Sequence, residues 1–141
     1  MQQVAGNAYE GTNIWKRGDY YYLFASTGDF SGGANSTYRT VVGRSKNILG
    51  PYVDGKGVKM LDNGFNLVLD RNSRFSGPGH NAGLVEDDKG QTWMVYHAYE
   101  INNPSKGRQG MLDLVKWTDD GWPYIVNGTP SISAEAPTFD K

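Results

Sequence analysis

The sequence predicts an all-β chain built from β-propeller blades, and three observations lead there. Short runs rich in Tyr, Val, Phe and Thr alternate with turns carrying Gly, Asp and Asn. Nineteen glycines and few stretches of helix-forming residues leave little room for helices. The whole pattern then returns once at a fixed spacing, and a repeat of four short strands is the mark of a propeller blade.

In chain order, Asn13–Lys16 reads as a short strand, Arg17-Gly18-Asp19 as a turn and Tyr20–Ser26 as a strong second strand. The loop Thr27–Ser36, with Gly28, Gly32 and Gly33, leads into a third strand from Thr37 to Ser45, and Gly50-Pro51-Tyr52-Val53-Asp54-Gly55 supplies a turn and a short fourth strand. After a connection through Asn66–Leu69 the pattern resumes with Gly83–Glu86, the turn Asp87–Gly90, a strand from Gln91 to Tyr99, a loop, a strand from Gly110 to Trp117, and Trp122–Val126.

The two copies align without a gap at a spacing of 72: Gly11 with Gly83, Gly18 with Gly90, Tyr21 with Trp93, Phe24 with Tyr96, Val42 with Leu114, Arg44 with Lys116, Pro51 with Pro123 and Tyr52 with Tyr124. The expectation is one partial propeller domain over residues 1–141, with blade-like repeats at about 8–62 and 80–132 and two four-stranded antiparallel blades. The competing architecture is a single eight-stranded sandwich or barrel.

Ser76-Gly77-Pro78-Gly79-His80-Asn81-Ala82-Gly83 is the stretch most marked by backbone demands. Three glycines and a proline in eight residues exclude a helix interior or a regular central strand, so a tight loop is expected to deliver His80 to the entrance of a strand. In a propeller the innermost strand of each blade lines the channel. Glu10 and His80 both fall just at its start, opposite Ala82 and Ala8 in the repeat, so each occurs in one copy only. His97 aligns with Ala25 inside a strong strand and is expected to pack.

Composition narrows the function. Fourteen basic against 15 acidic residues, a net charge of −1 and no basic run argue against nucleic acid or an acidic membrane as partner. The absence of cysteine excludes disulfides and thiolate metal sites. The longest apolar runs are strand-sized, so no membrane helix is expected, and Met1–Gly6 carries neither the basic nor the apolar region of a signal peptide. Asn35 and Asn127 each open an N-glycosylation pattern.

Tyr9-Glu10-Gly11, Lys16–Phe24, Ser36-Thr37-Tyr38, Val41–Ser45, Gly50–Val53 and Gly77–Gly83, in this order, resemble the later part of the five-bladed propeller of glycoside hydrolase family 43, most closely its endo-1,5-α-L-arabinanases, over roughly residues 8 to 126. The resemblance implies that Glu10 is the general acid of an inverting glycosidase and that His80 holds a hydrated calcium at the channel centre. Less directly, it implies sugar contacts from Ser36, Tyr38, Asn81 and Arg108. Trp15, Trp93, Trp117 and Trp122 could stack on sugar or pack between blades. The substrate it implies is a pentose polysaccharide, and the setting is extracellular. An inverting glycosidase also needs a base carboxylate roughly 6.5–9.5 Å from the acid. The family draws that residue from earlier blades, whose counterpart is not among the nine residues before Glu10. A noncatalytic carbohydrate-binding or assembly module therefore remains the alternative. Two blades do not close a propeller, so a homo-oligomer, or blades supplied from elsewhere, is expected.

Overall fold

The computed structural model describes residues 1–140, which form two antiparallel sheets, as the sequence predicts. The first contains β1 (Glu10–Arg17), β2 (Tyr20–Thr27), β3 (Arg39–Ser45) and β4 (Asn66–Leu69), in that spatial order. The second is formed by β5 (Phe75–Gly79), β6 (Val85–Glu86), β7 (Thr92–Glu100), β8 (Arg108–Trp117) and β9 (Pro123–Tyr124). Its order is β5-β7-β8-β9, with β6 also paired to β7. β5 meets the end of β7 at Tyr99 and Glu100, and β6 meets its start at Thr92 and Trp93. The inner position of this sheet is thus one strand, interrupted around His80.

Two sequence expectations are corrected. The fourth strand of the first sheet is Asn66–Leu69, not Tyr52-Val53. Val53 makes only isolated bridges, to Arg44 and Lys59, while β4 takes the edge of β3 at Thr40–Val42. The Asp54 carboxylate accepts from the N–H groups of Lys56 (2.8 Å) and Val58 (2.9 Å), which turns the chain away from β3 directly after Val53. The glycine stretch is likewise not purely a loop. Phe75–Gly79 is an edge strand with a register break between Ser76 and Gly79, and the sharp bend comes at His80.

The ungapped repeat also fails inside one strand. Phe24 pairs with Asn13 and Val42, yet the counterparts of those two residues, Val85 and Leu114, both pair with Trp93 rather than Tyr96. β7 is therefore slipped by three residues, and the cause lies in its turn. β1 and β2 join through the two-residue turn Gly18-Asp19. The β6–β7 turn is instead organised by the Asp87 carboxylate, which accepts bonds from the N–H groups of Lys89 (3.0 Å) and Gln91 (2.9 Å) and from Trp93 Nε1 (3.0 Å). An odd slip exchanges the two faces of a strand. Tyr96 therefore meets Phe24 in the core between the sheets although the two align in the ungapped repeat, and Trp93 is the structural counterpart of Phe24.

The core between the sheets joins Tyr22, Phe24, Val42, Val68 and Leu69 to Phe75, Leu84, Met94, Tyr96, Ala98, Val115 and Ile125. Tyr96 donates to Asp113 Oδ2 at 2.6 Å inside it, which satisfies two buried polar groups at once. A latch of aromatics closes the outer seam. The Arg44 guanidinium lies over Tyr20 (4.3 Å) and Trp122 (4.2 Å) and donates to the Asp120 carbonyl at 2.6 Å, while Tyr22 donates to the Gly121 carbonyl. Arg17 lies 4.5 Å over Trp117. With Trp93 buried on Asp87, all four tryptophans are used in packing.

The far face of the first sheet is also covered. Leu23, Ala25 and Val41 pack beneath Tyr52 and Met60, with Val4, Ala5, Tyr9 and Phe65 around them. The second sheet has no such cover over Val85, Val95 and Leu112, which are 43%, 42% and 43% exposed. Val95 and Leu112 are cross-strand partners.

The inner ends of the sheets meet where β5 presses on the chain leading into β3. A methyl group at Gly79 would overlap the Tyr38 ring, approaching Cγ to 3.1 Å and the ring edge more closely still. Gly79→Ala is therefore expected to cost about 1–3 kcal/mol in a urea melt. Gly83→Ala, with open space around the added methyl, should stay within about 0.5 kcal/mol of the parent. Equal behaviour of the two would show that the Tyr38 contact is not tight.

Candidate active site

Glu10 is the first residue of β1 and pairs across the ladder with Ser26. A bulge follows it, with Gly11 at φ 58°, and a side chain at Gly11 would run into the His80 ring at 3.1 Å. Glycine is needed there both for the left-handed backbone and for the space. His80 itself takes φ 52°, uncommon for a residue with a side chain. Its N–H donates to Ser26 Oγ at 2.7 Å, so the ladder partner of Glu10 also anchors His80.

Tyr38 connects the two. Its hydroxyl donates to Glu10 Oε1 at 2.7 Å, and its oxygen lies 3.4 Å from His80 Nδ1. Because the phenol proton goes to Glu10, His80 Nδ1 is the donor in the second contact, which leaves the Nε2 lone pair free. Burial first, and then the bond to the Glu10 carboxylate, push the Tyr38 hydroxyl far above the usual tyrosine range, so it remains a donor at any working pH. The ring is wholly buried. It stacks on His97 with centroids 5.6 Å apart and planes 11° off parallel, and Phe30 meets it edge-on at 6.2 Å.

Sequence reasoning assigned His97 to packing and did not place it here. It lies 6.2 Å from the His80 ring and pairs with Gly79 across the ladder. Burial first, and then the Arg108 guanidinium, push its imidazolium down to about 4, so the ring is neutral. The ungapped repeat hid this position by aligning it with Ala25. Arg108 is exposed at the start of β8, with its guanidinium 5.6 Å from the Phe30 ring centre.

Of the residues singled out in the sequence, the structure gathers Glu10, Tyr38, His80 and Arg108 at one end of the sheets. Ser36 and Asn81 stand behind them. Ser36 is fully buried, its hydroxyl donates to the Asp29 carbonyl at 2.6 Å, and it packs against Gly77. Asn81 is also buried. Its carbonyl accepts from Asn13 Nδ2 at 3.1 Å, and its side-chain amide donates to the Ala82 carbonyl at 3.0 Å. Their side chains shape the loops rather than face open space, which corrects the expectation of direct sugar contact from both. Tyr38, equally buried, positions Glu10 instead of lining a surface.

The Glu10 side chain is thus exposed and tethered through one oxygen, leaving Oε2 open to a ligand. Among the described residues Tyr38 is its one hydrogen-bond partner. No group of three or more His, Asp or Glu able to hold a metal forms among them.

Comparison with known proteins places this geometry. The model of the glycosyl hydrolases family 43 matches residues 2–123. An extracellular exo-α-(1→5)-L-arabinofuranosidase of Cellvibrio japonicus is 42% identical over 122 residues, covering 86% of this chain and 34% of that protein. The solved α-L-arabinanase of Cellvibrio cellulosa, in complex with arabinohexaose, superimposes with a TM-score of 0.78 at 39% identity, over 84% of this chain and 36% of that one. A family 43 endo-arabinanase from Bacillus licheniformis gives a TM-score of 0.79 at 32% identity, over 87% and 42%. The chain spans about a third of the length of the curated relatives it matches, and its two sheets correspond to blades of their propeller. On a family match across most of its residues, supported by sheets that superimpose on solved members, the chain belongs to glycosyl hydrolases family 43.

Proposed function

We propose that this chain is the acid-bearing part of an extracellular glycoside hydrolase that cleaves arabinan or a related pentose polysaccharide with inversion. The observation that carries the reading is the exposed Glu10 carboxyl, held through one oxygen by a buried tyrosine, in a chain whose relatives include arabinanases and arabinofuranosidases. Two of those relatives are named extracellular.

In this reading Glu10 gives a proton to the glycosidic oxygen as the bond to the leaving sugar breaks. A water attacks the anomeric carbon from the opposite face and loses its proton to a second carboxylate. No carboxylate among the described residues forms a contact with Glu10. Asp29, on the nearby loop, is occupied by the N–H and hydroxyl of Ser31 at 2.7 Å each. The base is assigned to blades outside this chain, as its span of the relatives allows. Arg108, exposed beside Phe30, is assigned to sugar contact. The lack of a partner carboxylate also favours a second reading, a carbohydrate-binding module that keeps the acid position without turnover.

The residues suit a hydrated calcium at His80 in one respect. No group of three or more His, Asp or Glu forms around the exposed ring among the described residues, so water would fill most remaining sites, which calcium accepts and a closed zinc site does not. When bound, the cation would supply positive charge beside the acid, and His80 would hold it.

Three measurements test these assignments. With the base-bearing blades supplied, Glu10→Gln is expected to lower the release of reducing ends from linear arabinan by about 10²–10⁴-fold with the fold intact. Activity within a few fold of the parent removes Glu10 from the role, and no release by the parent favours the binding module. Calorimetry of chelator-treated protein is expected to show weak calcium binding, with a raised melting temperature, that His80→Ala abolishes. Neither heat nor a melting shift would remove the cation from His80. Val85, Val95 and Leu112 form an uncovered sheet face, so light scattering at several concentrations is expected to find species larger than 15.6 kDa. A compact monomer of that mass with a cooperative melt would show that the face needs no partner.

A further inference from the structure

We infer that His97 is a positioning residue that acts as a flat plate, holding the Tyr38 ring so that its hydroxyl keeps Glu10 in place. The catalytic consequence rests on the reading of Glu10 as the acid; the structural claim does not.

Four observations converge on it. Glu10 is exposed and has one hydrogen-bond partner, so its orientation depends on where the Tyr38 oxygen stands. The Tyr38 ring is seated by Gly79 and by His97, which are partners across the β5–β7 ladder, and by the edge of Phe30. The His97 and Tyr38 planes lie 11° off parallel, the arrangement of stacked rings rather than of a hydrogen bond. Nδ1 and Nε2 of His97 are both buried, and neither has a hydrogen-bond partner among the described residues. Whatever the ring does for Tyr38, it does through its face.

An unpartnered buried imidazole is tolerable only while it is neutral. Removing the ring would leave a void beside Tyr38, and close-packed interiors respond to a void by letting neighbours shift. A hydroxyl that must hold a carboxylate at 2.7 Å cannot shift far without losing the bond.

The test is a spectroscopic cycle on this chain. With tyrosine labelled by ¹³C at Cζ, the Tyr38 signal is identified by its loss in Tyr38→Phe. At fixed pH, Glu10→Gln is expected to move that signal in the parent, because the acceptor changes from carboxylate to amide. The movement should persist in His97→Phe and be lost in His97→Ala, with circular dichroism confirming the fold. His97→Leu, which fills the space without a flat ring, should also lose it, and it serves if the alanine variant unfolds. The proposal is overturned if the parent signal ignores Glu10→Gln or if His97→Ala keeps the full response. It is equally overturned if His97→Phe loses the response, which would put the role on the ring nitrogens. Arabinan hydrolysis with the base-bearing blades supplied provides a separate arm: kcat is expected to fall about 10–100-fold in His97→Ala with KM nearly unchanged, and to recover in His97→Phe. A parent that does not hydrolyse arabinan counts against the proposed function alone, and the cycle still decides the role of His97.

Discussion

The candidate site depends on one close approach, that of the β5 backbone to the segment leading into β3. Gly77 and Gly79 leave room there for Ser36 and the Tyr38 ring, which no larger residue would do. With Tyr38 seated, a hydroxyl arrives beside Glu10 and His80 from outside both of their segments. The glycines therefore serve the acid at one remove. They let two sheets come close enough at their inner ends for a buried phenol from one to lie against a histidine of the other.

That approach is held from the opposite end. The Arg44 guanidinium between Tyr20 and Trp122, and the Tyr22 hydroxyl on Gly121, tie the outer part of the first sheet to the last turn of the second. Between seam and site lies a continuous apolar core drawn from both sheets. Burial of this core supplies the main drive for the sheets to pack. The polar pairs at either end fix how they pack, since each is satisfied in one arrangement. The acid is exposed, yet its holder is built into the interior, which gives a solvent-facing carboxyl a defined direction.

The two sheets differ in what they leave open. The first is covered on its far face by residues before β1 and by the connection from β3 to β4, including Tyr52 and Met60. The second presents Val85, Val95 and Leu112. In a propeller each blade finds its cover on the next, so an apolar face at the end of a two-blade unit is where a further blade belongs. The span of the chain against its relatives, about a third of their length, agrees with that arithmetic.

Much of this was legible in residue order. Alternating aromatic and β-branched runs between Gly and Asp turns determined an all-β chain, and the return of Gly18, Pro51-Tyr52 and aromatic positions at a spacing of 72 pointed to a repeated unit. Glu10 and His80 each occur in only one copy, and the structure brings both against the Tyr38 hydroxyl. Tertiary structure decided the rest, because it turns on contacts between segments distant in sequence. The slip of β7 follows from an aspartate that gathers bonds from its own turn and from a tryptophan, and that slip settles which residues face the core. Ser36 and Asn81 look from their motifs like contact residues, but packing puts them behind the surface. His97 looked like one more strand residue, and only the stacking of a ring from another sheet gives it a part in the site. A sequence shows which side chains are available and how often the chain must turn. Which of them share a few ångströms of space depends on how the sheets meet.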